Sequence, residues 1–225
     1  MKSSYLPFYT NKQTVPKTHR AFGGITSLLG DIYYDIGDFD CALNNYEYAL
    51  NVPGYDIPIV RIHRSDGMVD SFGIQTIIDA RKVGFTQVHG YFVPRFQSGN
   101  PAKQVSSTIT SLANKNAKID MIWFDVESPE QWSTNPQSNI NFIQSLINEA
   151  IAQNMKYGIY TQKTKWSPIT DNTNVLGSVP LWYAHFDDLA SFSDFRPFGA
   201  WTKPLMKQYQ GDVVDCNVEI DRNFF

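Results

Sequence analysis

Short apolar runs alternate along this chain with segments whose apolar residues recur at helical spacing. Runs of strand length occupy residues 32–36, 57–63, 87–93, 121–127, 157–160 and 181–184, and helical spacing is found over 42–50, 71–83, 101–113 and 140–151. Strands that alternate with helices are typical of parallel βαβ units. Beyond these, strands are predicted at 201–210 and 213–225 without clear helices between them. The pattern predicts an α/β fold, a single irregular TIM-like (β/α) barrel with helix-poor C-terminal strands.

The domain organisation follows from where this alternation begins. Residues 1–30 are polar at first and then contain several Gly and Leu residues, which predicts an extended N-terminal leader segment. Residues 31–225 are then predicted to form one (β/α) barrel, since no linker-like stretch divides them. A chain of 225 residues suits a single domain of this kind.

The strand predicted at residues 121–127 ends in two carboxylates. Its first four residues are apolar, and Asp125 and Glu127 then follow two positions apart. Strand side chains alternate between faces, so residues i and i+2 point the same way, with Cβ atoms roughly 6–7 Å apart. Two acids this close perturb each other, so that one stays protonated while the other ionises. The pair indicates a general acid and an electrostatic partner for glycosidic-bond cleavage; the alternative is a solvated strand end that introduces the turn at Ser128.

Composition and motifs exclude several other functions. The net charge is only −3 and no basic stripe is present, so nucleic acid is not expected as a partner. No apolar run has the roughly 18 residues of a membrane span. The signatures of hydrolase elbows, zincins, P-loops, dithiol redox sites and dinucleotide sites are also missing. His63 and His89 lie on neighbouring predicted strands, but a structural role is expected for them, so neither a metal nor a cofactor is predicted.

Aromatic residues make up 14% of the chain, which suits either a large core or a sugar-binding cleft. The aromatic residues near predicted strand ends are Tyr91, Trp123, Tyr160, Trp182 and Tyr209. We expect Trp123 to pack in the core and the other four to bind substrate. Arg61 is unusual for a predicted strand, and we expect it to bind substrate or to pair with a carboxylate of the site.

Several segments together resemble glycoside hydrolase family 25, the lysozymes first known from the fungus Chalaropsis and from phages, and in particular its branch in amoebae and nematodes. They occur in the family's order over residues 32–225. They are Tyr33-Tyr34-Asp35-Ile36, Val60-Arg61, Gly90-Tyr91-Phe92, Trp123-Phe124-Asp125-Val126-Glu127, Gly158-Ile159-Tyr160-Thr161 with Trp166, Leu181-Trp182-Tyr183-Ala184-His185-Phe186, Lys207-Gln208-Tyr209-Gln210-Gly211-Asp212, and Asp221-Arg222-Asn223-Phe224.

The resemblance implies both an activity and a set of catalytic residues. Carried over, the family's site falls on Asp35, Asp125, Glu127 and Asp221, with Glu127 as general acid. The implied reaction is hydrolysis of the β-1,4 bond between N-acetylmuramic acid and N-acetylglucosamine in bacterial peptidoglycan. The alternatives are a catalytically silent relative that binds glycans and a structural barrel. We expect a monomer.

Two mechanisms remain open at this point. In a substrate-assisted scheme the 2-acetamido oxygen of the substrate attacks the anomeric carbon, Glu127 protonates the leaving oxygen, and Asp125 holds the acetamido N–H. In a direct scheme Asp125 or Asp221 is the nucleophile or the base that activates water.

The chain has two cysteines, Cys41 and Cys216. With the resemblance, and because a barrel brings its first and last strands together, we expect them to form a disulfide. The bridge implies an oxidising location, secreted or lysosomal/phagosomal, although no signal-peptide h-region is visible. The alternative is a cytosolic protein with two free thiols.

Overall fold

The computed structural model describes residues 20–23, 57–215 and 218–225. Its sheet contains eight strands that pair in chain order, and the first strand also pairs with the last, so that the sheet closes on itself. The strands are β1 (Arg20–Gly23), β2 (Ile57–His63), β3 (His89–Phe92), β4 (Met121–Asp125), β5 (Tyr157–Thr161), β6 (Leu181–Ala184), β7 (Met206–Asp215) and β8 (Val218–Phe224).

Strands β1 to β7 pair in parallel, whereas β8 is antiparallel to both of its neighbours. Helices α1 (Ser71–Val83), α2 (Pro101–Asn114), α3 (Pro136–Ala152) and α4 (Lys163–Thr170) follow β2, β3, β4 and β5. Within the described residues, no α-helix follows β6 or β7. The prediction is therefore confirmed as a mixed α/β fold with a curled sheet, while the regular eightfold repeat of a TIM barrel is not followed.

Local signals account for the helix ends. The side chain of Asp70 accepts hydrogen bonds from the first backbone N–H groups of α1, and Gly84 ends the helix with a φ of 111°. Asn135 caps α3 in the same way, with Pro136 in its first turn. Helix α4 was missed because it is short and contains Pro168, although buried Trp166 anchors it.

Side chains that alternate along the strands divide the core into two parts. One set fills the space between the sheet and the helices, and a second fills the barrel interior. The buried interior residues are Ile57, Ile59, Met121, Trp123, Trp182 and Met206. Trp123 is fully buried there, as predicted, and it packs edge-on against Trp182 with ring centroids 5.7 Å apart.

Gly158 makes room for Trp123. A Cβ at this position would lie 2.3 Å from Cζ3 of the indole, so any side chain would displace the ring. The interior beneath Asp125, the last residue of β4, is therefore a packed layer of aromatic and aliphatic side chains.

Some predicted boundaries differ from the structure. Strand β1 falls within residues 1–30, for which a leader outside the barrel is predicted, and it pairs with β2 and β8. Strand β7 begins at Met206 rather than at residue 201, because Pro204 lies between and interrupts the backbone hydrogen bonding of a strand. The strand predicted at 32–36 and the helix predicted at 42–50 lie outside the described residues.

Candidate active site

A cleft of about 190 Å³ opens at the end of the barrel where the parallel strands terminate. Its lining consists of Tyr91, Asp125, Glu127, Tyr160, Trp182, Gln208 and Asp221. Three of the four predicted catalytic carboxylates therefore meet in one place. The fourth, Asp35, lies outside the described residues.

Asp125 is the last residue of β4 and is opposite Tyr160 in the sheet. Its Oδ1 is buried, and no group in the described part of the chain donates a hydrogen bond to it. Burial raises the pKa of Asp125 well above its ordinary value, and the charge of Glu127 adds to the effect. Among the described residues, the floor of the cleft thus presents a carboxyl oxygen without a donor, which suits a hydrogen bond from a ligand.

Glu127 lies two residues beyond the end of β4, on backbone that is held in place. Val126 N–H donates to Tyr160 O (2.9 Å), Thr161 Oγ1 donates to Val126 O (2.7 Å), and Trp132 Nε1 donates to Glu127 O (2.8 Å). The Glu127 side chain is half-buried and accepts a hydrogen bond from Gln162 Nε2 at 3.2 Å.

Burial raises the pKa of Glu127, and this effect exceeds the opposing effects of the Gln162 hydrogen bond and the Lys165 charge. A carboxyl group with a raised pKa keeps its proton to higher pH, which is what a general acid needs. The position and the pKa of Glu127 thus both suit proton donation.

Asp221 reaches the cleft from the antiparallel strand β8. Its Oδ2 accepts from Gln208 Nε2 (3.0 Å) and its Oδ1 from the Asp212 backbone N–H (3.0 Å). Burial raises the pKa of Asp221 to about 6, against the hydrogen bond from Asp212 N–H, and the Asp212 charge contributes to the rise. Strand β8 is antiparallel to its neighbours, so its amino-terminal half lies at the same end of the barrel as the carboxyl ends of the parallel strands.

The predicted aromatic residues divide between the cleft and the core. Tyr91, Tyr160 and Trp182 line the cleft, and burial raises the pKa of the Tyr91 hydroxyl to about 12, so it stays protonated. Tyr209 is not in the lining, and only 4% of its surface is exposed. Since successive strand residues face opposite ways, its neighbour Gln208 faces the cleft instead. The predicted contact of Tyr209 with substrate is therefore wrong for this arrangement.

Arg61 lies in a second depression of about 400 Å³ that shares Tyr91 and Asp125 with the cleft. Its Nε donates to Asp70 Oδ2 at 2.7 Å, which places an ion pair at the start of α1. The Arg61 charge also opposes the rise in the pKa of Tyr91. The described pairing is thus with the helix cap, and a role in substrate binding stays a prediction.

Two glutamines of the site were not predicted. Gln208 accepts from the Tyr160 hydroxyl (2.5 Å) and donates to Asp221, and Gln162 donates to Glu127. The alternation of β7, with Met206 in the barrel interior, identifies Gln208 as inward-facing. For Gln162, which follows β5 directly, the sequence carries no comparable signal.

His63 and His89 occupy structural positions. His63 stacks on Phe92 and His89 accepts from Trp123 Nε1. Of the described residues, His185, Asp187 and Asp194 are close enough to share a metal ion. The buried ammonium of Lys207 already lies 2.7–2.8 Å from both of those carboxylates, so the cluster holds its own cation.

In the part of the chain that the structure describes, none of the helices combines the length and the apolar character that a membrane-spanning helix needs. Cys41 and Cys216 lie outside the described residues, so their pairing stays a prediction.

Both a family model and a curated relative match this chain over most of its length. The family model described as lysozyme-like protein 1 matches residues 38–209. The probable GH family 25 lysozyme 4 of Dictyostelium discoideum is 34% identical over 205 residues, 91% of each chain.

Two solved structures show the same fold. The muramidase from Trichobolus zukalii has a TM-score of 0.66 at 20% identity, over 80% of this chain and 86% of that chain. The modular autolysin LytC from Streptococcus pneumoniae, in complex with a synthetic peptidoglycan ligand, has a TM-score of 0.66 at 14% identity, over 92% of this chain and 46% of that chain. Given the family match, the extent of the similarity to the Dictyostelium lysozyme and the cleft of carboxylates, the chain is a glycoside hydrolase that belongs to family 25, the lysozymes.

Proposed function

We propose that this protein is a lysozyme that hydrolyses the β-1,4 bond between N-acetylmuramic acid and N-acetylglucosamine in bacterial peptidoglycan. The observation that carries the proposal is the pairing of two different carboxyl groups in one cleft. Glu127 has a raised pKa and a single described hydrogen-bond donor, and Asp125 has a buried oxygen without one. The structural relative crystallised with a peptidoglycan ligand supports the choice of substrate.

In the proposed reaction Glu127 is the general acid. Its proton passes to the glycosidic oxygen as the bond from that oxygen to the anomeric carbon breaks, and the bonding electron pair stays on the oxygen. The substrate's own acetamido oxygen forms the new bond to the anomeric carbon, giving a cyclic intermediate that water then opens. Glu127, now ionised, takes the proton from that water.

Asp125 would hold the acetamido group during this step. An acetamido N–H donor would satisfy the buried Oδ1 that no described group reaches, and a buried acceptor without a donor costs free energy until it is paired. Pairing with the substrate would also fix the acetamido oxygen beside the anomeric carbon.

A direct reaction is the second mechanistic candidate. Asp221 has a pKa of about 6, so at neutral pH it is ionised and able to activate a water molecule. The two mechanisms share Glu127 as the acid. They differ in stereochemistry: the substrate-assisted route retains the anomeric configuration, whereas a water activated by Asp221 inverts it.

Analysis of the products tests the function. Gram-positive cell walls are incubated with the protein, and the soluble fragments are reduced with borohydride and identified by mass spectrometry. The proposal predicts fragments that end in reduced muramic acid. Fragments ending in reduced glucosamine, or cleaved peptides, would contradict it. Binding to walls without release of fragments would indicate a catalytically silent glycan-binding relative.

A further inference from the structure

Phe186 is an exposed aromatic side chain beside the cleft, two residues after the end of β6. Of its surface 58% is accessible to solvent. Its Cε1 and Oδ1 of Asp221 each lie 3.5 Å from the point where a Cβ of Gly211 would be. The ring and the carboxylate therefore lie near the same side of Gly211, where a side chain at that position would stand.

The backbone on both sides of Phe186 is fixed. His185 N–H donates to Gln208 O (3.0 Å) and Asp188 N–H donates to Tyr209 O (3.1 Å), so the segment is bonded to β7 before and after the phenylalanine. Asp187, the next residue, accepts two hydrogen bonds from Lys207 Nζ, at 2.7 and 2.8 Å.

Lys207 extends this support into the protein. Its side chain is fully buried and also donates to Asp194 Oδ1 at 2.8 Å, and Asp194 Oδ2 lies 2.7 Å from His185 Nδ1. A buried ammonium bonded to two carboxylates resists displacement, because moving it away leaves both carboxylates without their cation. We call Lys207, Asp187, Asp194 and His185 the β6-loop cluster.

A single exposed apolar residue needs no explanation by itself. Phe186 differs because its position is held from both sides and because it stands next to a carboxylate of the cleft. A rigid flat ring at the edge of a polar cleft suits a ligand that has both an apolar face and hydroxyl groups. The axial C–H groups on one face of a pyranose ring provide such a face, and the ring hydroxyls remain available to the carboxylates.

We propose that Phe186 is a stacking platform for a pyranose ring of the glycan strand, at the edge of the cleft next to Asp221, and that the β6-loop cluster holds it there. The inference rests on the proposed function for the identity of the glycan. It adds a substrate-binding residue and assigns a task to an ion cluster that takes no part in the chemistry.

Binding is measured separately from catalysis. The variant Glu127→Gln serves as the parent, since the reaction then does not consume the ligand. Its affinity for a soluble tetrasaccharide of alternating N-acetylglucosamine and N-acetylmuramic acid is determined by calorimetry. Adding Phe186→Ala is expected to raise Kd about tenfold, the scale of one lost aromatic contact. Phe186→Trp is expected to keep Kd within about twofold of the parent.

Two further variants separate a platform from a general effect on the fold. Ile151→Ala removes an exposed apolar side chain from the carboxyl end of α3. Because α3 runs antiparallel to the strands, this end of the helix lies at the opposite end of the barrel from the cleft. The Kd of the Ile151→Ala variant should therefore equal that of the parent. Asp187→Asn removes one charge of the β6-loop cluster and should raise Kd by less than Phe186→Ala does. With wild-type Glu127, Phe186→Ala should raise KM and leave kcat within about twofold.

The outcomes distinguish this inference from the proposed function. If the parent binds the tetrasaccharide and Phe186→Ala binds it equally well, the platform is wrong and the lysozyme proposal stands. If Phe186→Ala weakens binding but the wild-type protein releases no wall fragments, the platform stands and the proposed catalysis fails. A parent that does not bind the tetrasaccharide rejects the platform, and release of wall fragments by the wild-type protein then decides the lysozyme proposal by itself.

Discussion

The three carboxyl groups in the cleft differ in their neighbours. Asp125 has a buried oxygen with no described donor, Glu127 has one amide donor, and Asp221 has an amide and a backbone N–H. Each pKa is raised, and burial is the largest cause in each. Different hydrogen bonding is how similar carboxyl groups acquire different tasks in one site.

Replacing Asp125 with Asn should stabilise the protein at neutral pH. A raised pKa means that the folded state binds the proton more tightly, so wild-type stability falls as pH rises above the ordinary Asp value of about 4. Asn cannot ionise and avoids this loss. Thermal unfolding should give a higher Tm for Asp125→Asn at pH 7 and a smaller difference at pH 4. An equal or lower Tm at pH 7 would show that the carboxyl is not destabilising there.

Ionisation of Asp221 should make kcat/KM increase with pH, which gives the pH profile of kcat/KM an ascending limb. Its pKa of about 6 means that it is protonated below that pH and ionised above it. Only the ionised form stabilises positive charge on the sugar or activates water, so kcat/KM should rise with pH through about 6. In Asp221→Asn this limb should be absent. A limb that is unchanged in the variant would assign the titration to another group.

The sequence predicts much of the site at this scale. The spacing of Asp125 and Glu127 correctly brings both into one cleft, and the Val126 N–H continues the bonding to β5 past the end of β4. The prediction that Tyr209 binds substrate fails because a shift of one residue along a strand moves the side chain to the other face of the sheet, and here Gln208 faces the cleft. The position of Asp221 depends on the antiparallel direction of β8, and no local pattern encodes strand direction.

At the scale of elements, the segment between β6 and β7 contains no helix. The β6-loop cluster attaches this segment to the barrel instead, through the bonds from Lys207 of β7 to Asp187 and Asp194. Burial by itself raises the pKa of Asp187 and Asp194, but the hydrogen bonds that each carboxylate accepts and the charge of Lys207 together outweigh burial and lower both pKa values. Sequence reasoning did not identify the cluster, because Lys207 lies far along the chain from its partners. Helix α4 is local in sequence, but it could not be predicted either, because it has only eight residues and one of them is Pro168.

Lys207→Met should destabilise the fold strongly. The side chain is buried, and its loss leaves two carboxylates without their cation, which typically costs about 3–5 kcal/mol. Urea unfolding should show this decrease, and the exposed Lys203→Met should stay within about 0.5 kcal/mol of wild type. A small effect of Lys207→Met would mean that the cluster contributes little to holding the loop.

At the scale of the whole molecule, closure of the sheet through β1 and β8 brings the site together. Asp221 faces Gly23 of β1 in register, so the last strand completes the cleft formed by β3 to β7. The order of strands and helices in the middle of the chain could be predicted from hydrophobic spacing. A closed barrel could also be predicted, but not that β1, within residues 1–30, completes it, because a pairing between distant parts of the chain leaves no local pattern.

We propose that Cys41 and Cys216 form a disulfide and that the protein works in an oxidising compartment. The unfolded, unreduced protein should then contain no free thiol, and reduction should release two. Titration with a thiol reagent in denaturant measures both numbers. Two thiols before reduction would contradict the disulfide and remove the argument for secretion or a lysosomal location.

The central claim is that Glu127 is the general acid, and cell-wall lysis by Glu127→Gln tests it most directly. Gln keeps the shape of the side chain and removes the proton, and general acid catalysis contributes about 10²–10⁴ in rate. Glu130→Gln makes the same change at an exposed position three residues away. In a turbidity assay with both variants folded, we predict at least a roughly 100-fold loss of lysis for Glu127→Gln and wild-type lysis for Glu130→Gln. Lysis by Glu127→Gln at the wild-type rate would contradict the account.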